Sequence, residues 1–193
     1  MCLSCCKLPT WTEIFNFIFY ICFVMTASLI ASKMTIEVSK IAPRIREAYI
    51  AVGMISSPMF AFARRQLVAC KQLAVICGVH MSTRPELMRE LQQLTISGKI
   101  TSGAYAKDFL HAKLYLFKLD NDWLAFVGSG NLTDGGWRGN EELFVKVADQ
   151  DACLELKQKF DDWMEDALSI DDQFLAVYEE HVNSVESLEV ERR

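Results

Sequence analysis

Two unbroken apolar runs, Ala48–Ile55 (AYIAVGMI) and Leu73–Val79 (LAVICGV), set the tightest limit on what this chain can fold into. A strand that is apolar at successive positions points hydrophobic side chains to both faces, so both faces must be covered. Helical patterns lie between and beyond the two runs, and together they predict a mixed α/β domain with a central sheet. A chain of 193 residues has room for one domain with a full core. With 51% hydrophobic and 23% charged residues it is neither a disordered chain nor a disulfide-stapled mini-scaffold.

The other elements follow from period and punctuation. Ile36–Ala48 reads as a short helix interrupted by Pro43. Thr83, with Pro85 in the first turn and Glu86 three residues on, reads as the N-cap of a helix running to about Leu94. Ile100–Ala104 is a short edge strand. Leu110–Leu119 alternates, with Leu110, Ala112, Leu114 and Leu116 on one face and His111, Lys113 and Tyr115 on the other. The turn Asp120-Asn121-Asp122 joins it to Trp123–Val127 as a hairpin. The glycine-rich stretch Gly128–Gly139 is a loop, and Leu143–Val147 is the next strand. An amphipathic helix follows with Leu154, Leu156, Phe160, Trp163, Met164 and Leu168 inward, then a second helix around Phe174–Val182. No internal repeat is visible.

The N-terminus is different in kind. Ile14–Ser32 holds 19 residues without a charge, long enough to cross a bilayer as a helix. The chain thus divides into a hydrophobic segment, 1–33, and a domain, 34–193, with an acidic helical C-terminus. Two readings of the segment stand side by side. In one, residues 14–32 anchor the protein in a membrane and the domain, preceded by Lys33, Lys40, Arg44 and Arg46, lies in the cytoplasm. In the other, the segment is an upstream extension and translation starts at Met34. Seven cysteines at irregular spacing argue for a reduced cytoplasmic protein rather than a disulfide framework, with Cys70 and Cys77 acting as small buried hydrophobes. Charge is uneven too. From Asp149 onward 14 acidic residues face only Lys157, Lys159, Arg192 and Arg193, so the remainder of the chain is net basic despite an overall charge of −5.

Chemistry concentrates between residues 111 and 142. His111 and Lys113 share one strand face, which sets a nucleophile beside a cation. A phosphodiester needs that pairing, because its anionic oxygens must be neutralised before a nucleophile can reach phosphorus. Gly128-Ser129-Gly130-Asn131 ends the next strand, supplying a hydroxyl, an amide and glycines whose backbone N–H groups can approach a phosphate. Glu142, or its neighbour Glu141, can hold an imidazole in its reactive tautomer. Arg138 and Trp137 in the loop are candidates for phosphate contact and base stacking, with Arg64, Arg65 and Lys107 as further basic positions. No His/Cys/Asp/Glu cluster with metal-ligand spacing accompanies them.

The set His111-x-Lys113, Gly128-Ser129-x-Asn131 and Glu142 resembles the signature of the phospholipase D superfamily. The stretch from His111 to Val147 is most similar to its bacterial nuclease and restriction-endonuclease-like branch. The resemblance implies an α-β-α sandwich and a metal-independent phosphodiesterase needing no cofactor. It implies a homodimer too, because the family builds one active site from two such motifs and this chain has one. One His111 would attack phosphorus to form a phosphohistidine, and the partner's would protonate the leaving oxygen. Lys113 and Asn131 would clamp the phosphate, Ser129 would support the clamp, and Glu142 would orient the histidine. The family's fuller motif has an aspartate where this chain has Lys118. The expected substrate is nucleic acid, DNA first and RNA second. Two other functions remain compatible: a membrane-anchored phospholipid phosphodiesterase, and a non-catalytic phospholipase D-like binding module.

Overall fold

A computed structural model describes residues 27–30, 33–81 and 83–191 of the protein. Seven strands form one mixed sheet: β1 (Ala27–Ile30), β2 (Glu47–Val52), β3 (Gln72–Gly78), β4 (Thr101–Tyr105), β5 (Lys113–Lys118), β6 (Trp123–Gly128) and β7 (Phe144–Val147). Their order across the sheet is β1-β7-β6-β5-β2-β3-β4. β2, β3 and β4 run parallel, joined by the crossover helices α2 (Ser57–Gln66) and α3 (Pro85–Ile96). β5, β6, β7 and β1 continue antiparallel from the other side of β2.

The two apolar runs fold as expected, into the buried neighbours β2 and β3. Their alternate residues feed two separate cores. Ala48, Ile50, Val52, Val75 and Cys77 face one side, packed with Met34 and Val38 of α1 (Met34–Ile41), Met59 and Phe60 of α2, Leu87 and Leu91 of α3, and Leu175 and Tyr178 of α5 (Asp172–Glu191). Tyr49, Ala51, Ala74 and Ile76 face the other, against Cys153 and Phe160 of α4 (Gln150–Glu165). Helices therefore cover both faces, as strands apolar on both sides require.

Several local expectations change. Thr83 does not cap α3. Its side chain is fully buried and its Oγ1 accepts a hydrogen bond from Ile55 N at 3.1 Å, so Arg84 takes the N-cap position. Pro43 ends α1 and starts a short 3-10 turn, Ala42–Arg44. On α4, Leu154 and Leu168 beyond it are half exposed instead of inward, while Cys153 takes an inward place. Most of the apolar segment 14–32 lies outside the described residues, as do Cys2, Cys5 and Cys6. Its four described residues, Ala27–Ile30, are not helical: they pair antiparallel with β7 from Ala27↔Val147 to Ile30↔Phe144. Among the described residues no helix is long and apolar enough to cross a membrane.

Candidate active site

The sheet topology brings the motif residues to one end. β5 lies antiparallel to β2 with Lys113 opposite Val52, and β6 lies antiparallel to β5 with Val127 opposite Leu114. The entry to β5 therefore meets the exits of β2 and β6 and, through the pair Gly128↔Phe144, the entry to β7. His111 precedes β5, Ser129–Asn131 follow β6, Glu142 precedes β7 and Met54 follows β2, so residues far apart in sequence share one rim.

Lys113 sits deepest in this rim. Only 4% of it is exposed, and its Nζ donates to His111 O at 2.8 Å. No carboxylate lies within ion-pairing distance of that ammonium among the described residues. Burial lowers its proton affinity below the ordinary lysine value, while the charge of nearby Glu142 pulls the other way. An ammonium with three N–H donors and one protein acceptor keeps donors for an anion. His111 itself is exposed, its ring stacked on Phe109 at 5.7 Å.

Asn131 is held by Met54 N, which donates to its Oδ1 at 3.3 Å. The carbonyl oxygen is thus taken, and the amide NH₂ is the group left to donate. Ser129 Oγ donates to Glu142 Oε2 and accepts from Leu143 N at 3.0 Å, which uses its hydroxyl within the protein. The other carboxylate oxygen of Glu142 accepts from Asn140 Nδ2 at 3.3 Å. Within the chain, Glu142 is therefore held by Ser129 and Asn140, with no hydrogen bond to its own His111. Glu141 points to solvent, where its Oε1 accepts from Lys33 Nζ at 3.3 Å; alternation selects Glu142 as the inward carboxylate.

Three further expectations are corrected by packing. Trp137 offers no stacking face: it is 1% exposed, with its ring edge-on to Tyr115 at 5.1 Å. Gly128 and Gly130 are small because the protein fills the space. A Cβ on Gly128 would lie 2.2 Å from Leu143 O, and one on Gly130 2.4 Å from Gly136 O. Arg138 is drawn to Asp134 at 3.3 Å and over the Phe62 ring at 4.9 Å, facing α1. Arg64 and Lys107 are likewise committed, to Glu90 and Asp166 at 2.8 Å each. Lys118 stands at the far end of β5, paired with Glu47 at 3.5 Å. That is about 17 Å along the strand from Lys113, so its departure from the family pattern does not touch this rim.

One support was not legible beforehand. Tyr115, expected on the polar face, is fully buried, and its hydroxyl donates to Gly130 O at 2.8 Å. Burial raises its pKa far above the ordinary value, so it stays a neutral donor pinning the Ser129–Asn131 loop from below.

A buried ammonium with spare donors, an amide NH₂ left to donate and an exposed imidazole share this rim, the kinds of group that can hold an anion and offer it a nucleophile. The family model described as "Cardiolipin synthase, PLD-like domain" matches residues 55–164, more than half of the chain. Among solved structures, Nuc, a phospholipase D family member from Salmonella typhimurium, is similar at 15% identity with a TM-score of 0.59, over 74% of this chain and 97% of its own. NucT from Helicobacter pylori is similar at 16% identity with a TM-score of 0.53, over 74% and 98%. Phosphatidylserine synthase from Haemophilus influenzae Rd KW20 is similar at 10% identity with a TM-score of 0.54, over 98% of this chain and 56% of its own. No curated protein matches the sequence. The chain belongs to the phospholipase D superfamily, a family of phosphodiesterases.

Proposed function

We propose that the domain is a metal-independent nuclease that hydrolyses DNA, or RNA, through a phosphohistidine formed at a homodimer interface. The observation that carries this is Lys113, a buried ammonium with a single protein acceptor directly behind the exposed His111. Two likenesses favour nucleic acid as substrate. The nucleases Nuc and NucT are spanned over 97% and 98% of their own lengths, whereas the lipid-synthesising relative is spanned over 56%.

Chemically, Lys113 and the Asn131 amide from each subunit take the non-bridging oxygens of the diester. A ring nitrogen of His111 attacks phosphorus; the N–P bond forms as the P–O bond to the leaving group breaks. The leaving oxygen takes its proton from the partner subunit's His111. That imidazole, now neutral, accepts a proton from water as the water oxygen attacks phosphorus, and cleavage of the N–P bond frees His111. Glu142, held by Ser129 and Asn140, acts through Lys113 by favouring its charged form.

The test is cleavage of labelled single- and double-stranded DNA in excess EDTA, with His111→Ala purified identically. Cleavage that survives EDTA and vanishes in the variant supports the nuclease. Cleavage of bis(p-nitrophenyl) phosphate without cleavage of any nucleic acid overturns it in favour of a lipid phosphodiesterase. A folded dimer that cuts neither diester leaves the binding-module reading.

A further inference from the structure

We infer that Phe109 is a base-stacking platform that makes the enzyme select an unpaired nucleotide next to the scissile phosphate. This rests on the nuclease reading above.

In the segment between β4 and β5, Leu110 is the buried anchor: it is 5% exposed, and its backbone oxygen would lie 2.8 Å from a Cβ on Gly53. Phe109 and His111, on either side of it, are both exposed. The rings of Phe109 and His111 stand 5.7 Å apart with their planes only 22° from parallel. The exposed His80, which follows β3, has its ring 5.8 Å from that of Phe109. Phe109, 57% exposed, is the apolar ring beside the candidate nucleophile.

An isolated exposed phenylalanine needs no explanation. This one has its ring near His80, which also lines a groove of 290 Å³ with Val79, Ala106, Phe174 and Val177. Of the candidates named from the sequence, Arg64, Arg138 and Lys107 are tied to carboxylates and Trp137 is buried.

Any diester presented to His111 carries its flanking group past Phe109. In a duplex both faces of that base are already occupied by its stacked neighbours. In a single strand, an overhang or a loop, the base is free to lie on an aromatic ring. On the nuclease reading, the occupant of the Phe109 ring is an unpaired nucleobase.

The experiment measures kcat and KM of the full chain on a labelled single-stranded oligonucleotide, its duplex, and single strands with one abasic residue on either side of the cut position. Phe109→Ala is expected to raise KM on the single strand by about 5- to 150-fold, the range set by one base–aromatic stack, with kcat nearly unchanged. Phe109→Trp is expected to restore KM. One of the abasic strands should behave with the wild type as the intact strand does with Phe109→Ala, and the two changes combined should add little. An unchanged KM in Phe109→Ala, or a loss confined to kcat, overturns the platform while leaving the nuclease standing. Wild type that cuts no oligonucleotide but hydrolyses phosphatidylglycerol in vesicles overturns both.

Discussion

A lysine ammonium with 4% of its surface exposed and no carboxylate partner works against the folded state, because burial disfavours the charged form. The protonated side chain weakens folding at every pH below its lowered native value. That penalty fades as pH climbs from there towards the ordinary 10.5. Lys113→Met is therefore expected to raise Tm near neutral pH by roughly 2–4 °C, the shift that about 1 kcal/mol produces in a domain of this size, while abolishing hydrolysis. Thermal unfolding beside a diester assay checks both halves. Lys118 makes the opposite prediction. At the far end of β5 it contacts Glu47, so Lys118→Asp should leave kcat/KM within about twofold of wild type, while like charge beside Glu47 costs a few tenths of a kcal/mol in urea unfolding.

Between strands, the site depends on a turn held from beneath. The Tyr115 hydroxyl reaches out of the β5 core to Gly130 O, and Gly136 packs so closely on the loop that a Cβ there would lie 2.2 Å from Asn131 O. The glycine-rich stretch is thereby folded back on itself, with a short π-helical turn, Gly135–Gly139, carrying Trp137 into the core. Tyr115→Phe keeps the ring contacts and leaves one buried carbonyl unpaired, a loss of about 1–3 kcal/mol in urea unfolding. Catalysis should suffer more than stability, with Asn131 losing its register: a fall of tenfold or more in kcat at a temperature where the variant is fully folded. Equal activity at full folding would show that Met54 alone holds Asn131. Much at this scale was readable in advance, including the two buried strands and the Asp120–Asp122 hairpin; the choice of Glu142 over Glu141 came from the structure. Nor were Thr83 and Trp137 readable. A threonine before Pro85 has the pattern of a cap, and a tryptophan in a glycine loop the pattern of a rim; both are pulled inward by partners distant in sequence, Ile55 and Tyr115.

For the whole molecule, the proposed chemistry needs two copies of His111, and the chain carries one HxK motif. Light scattering is expected to give twice the mass of the 193-residue chain, and specific activity should drop when the protein is diluted below its dimerisation constant. Subunit mixing is sharper. If both histidines serve each turnover, adding inactive His111→Ala subunits should reduce activity as the square of the wild-type fraction; a linear decline would mean that each subunit works alone. The sequence by itself determined the α/β class and the strands apolar on both faces, because those follow from side-chain type and period along a local stretch of chain; the candidate reacting residues came from their likeness to a family motif. The tertiary structure alone decided which residues meet. Strand order sets Lys113 against Val52 and sends Lys118 away, close packing rather than phosphate contact explains Gly128 and Gly130, and Phe109 stands exposed beside His111. Those outcomes depend on the volume and charge of neighbours brought in from distant positions, which no local pattern encodes.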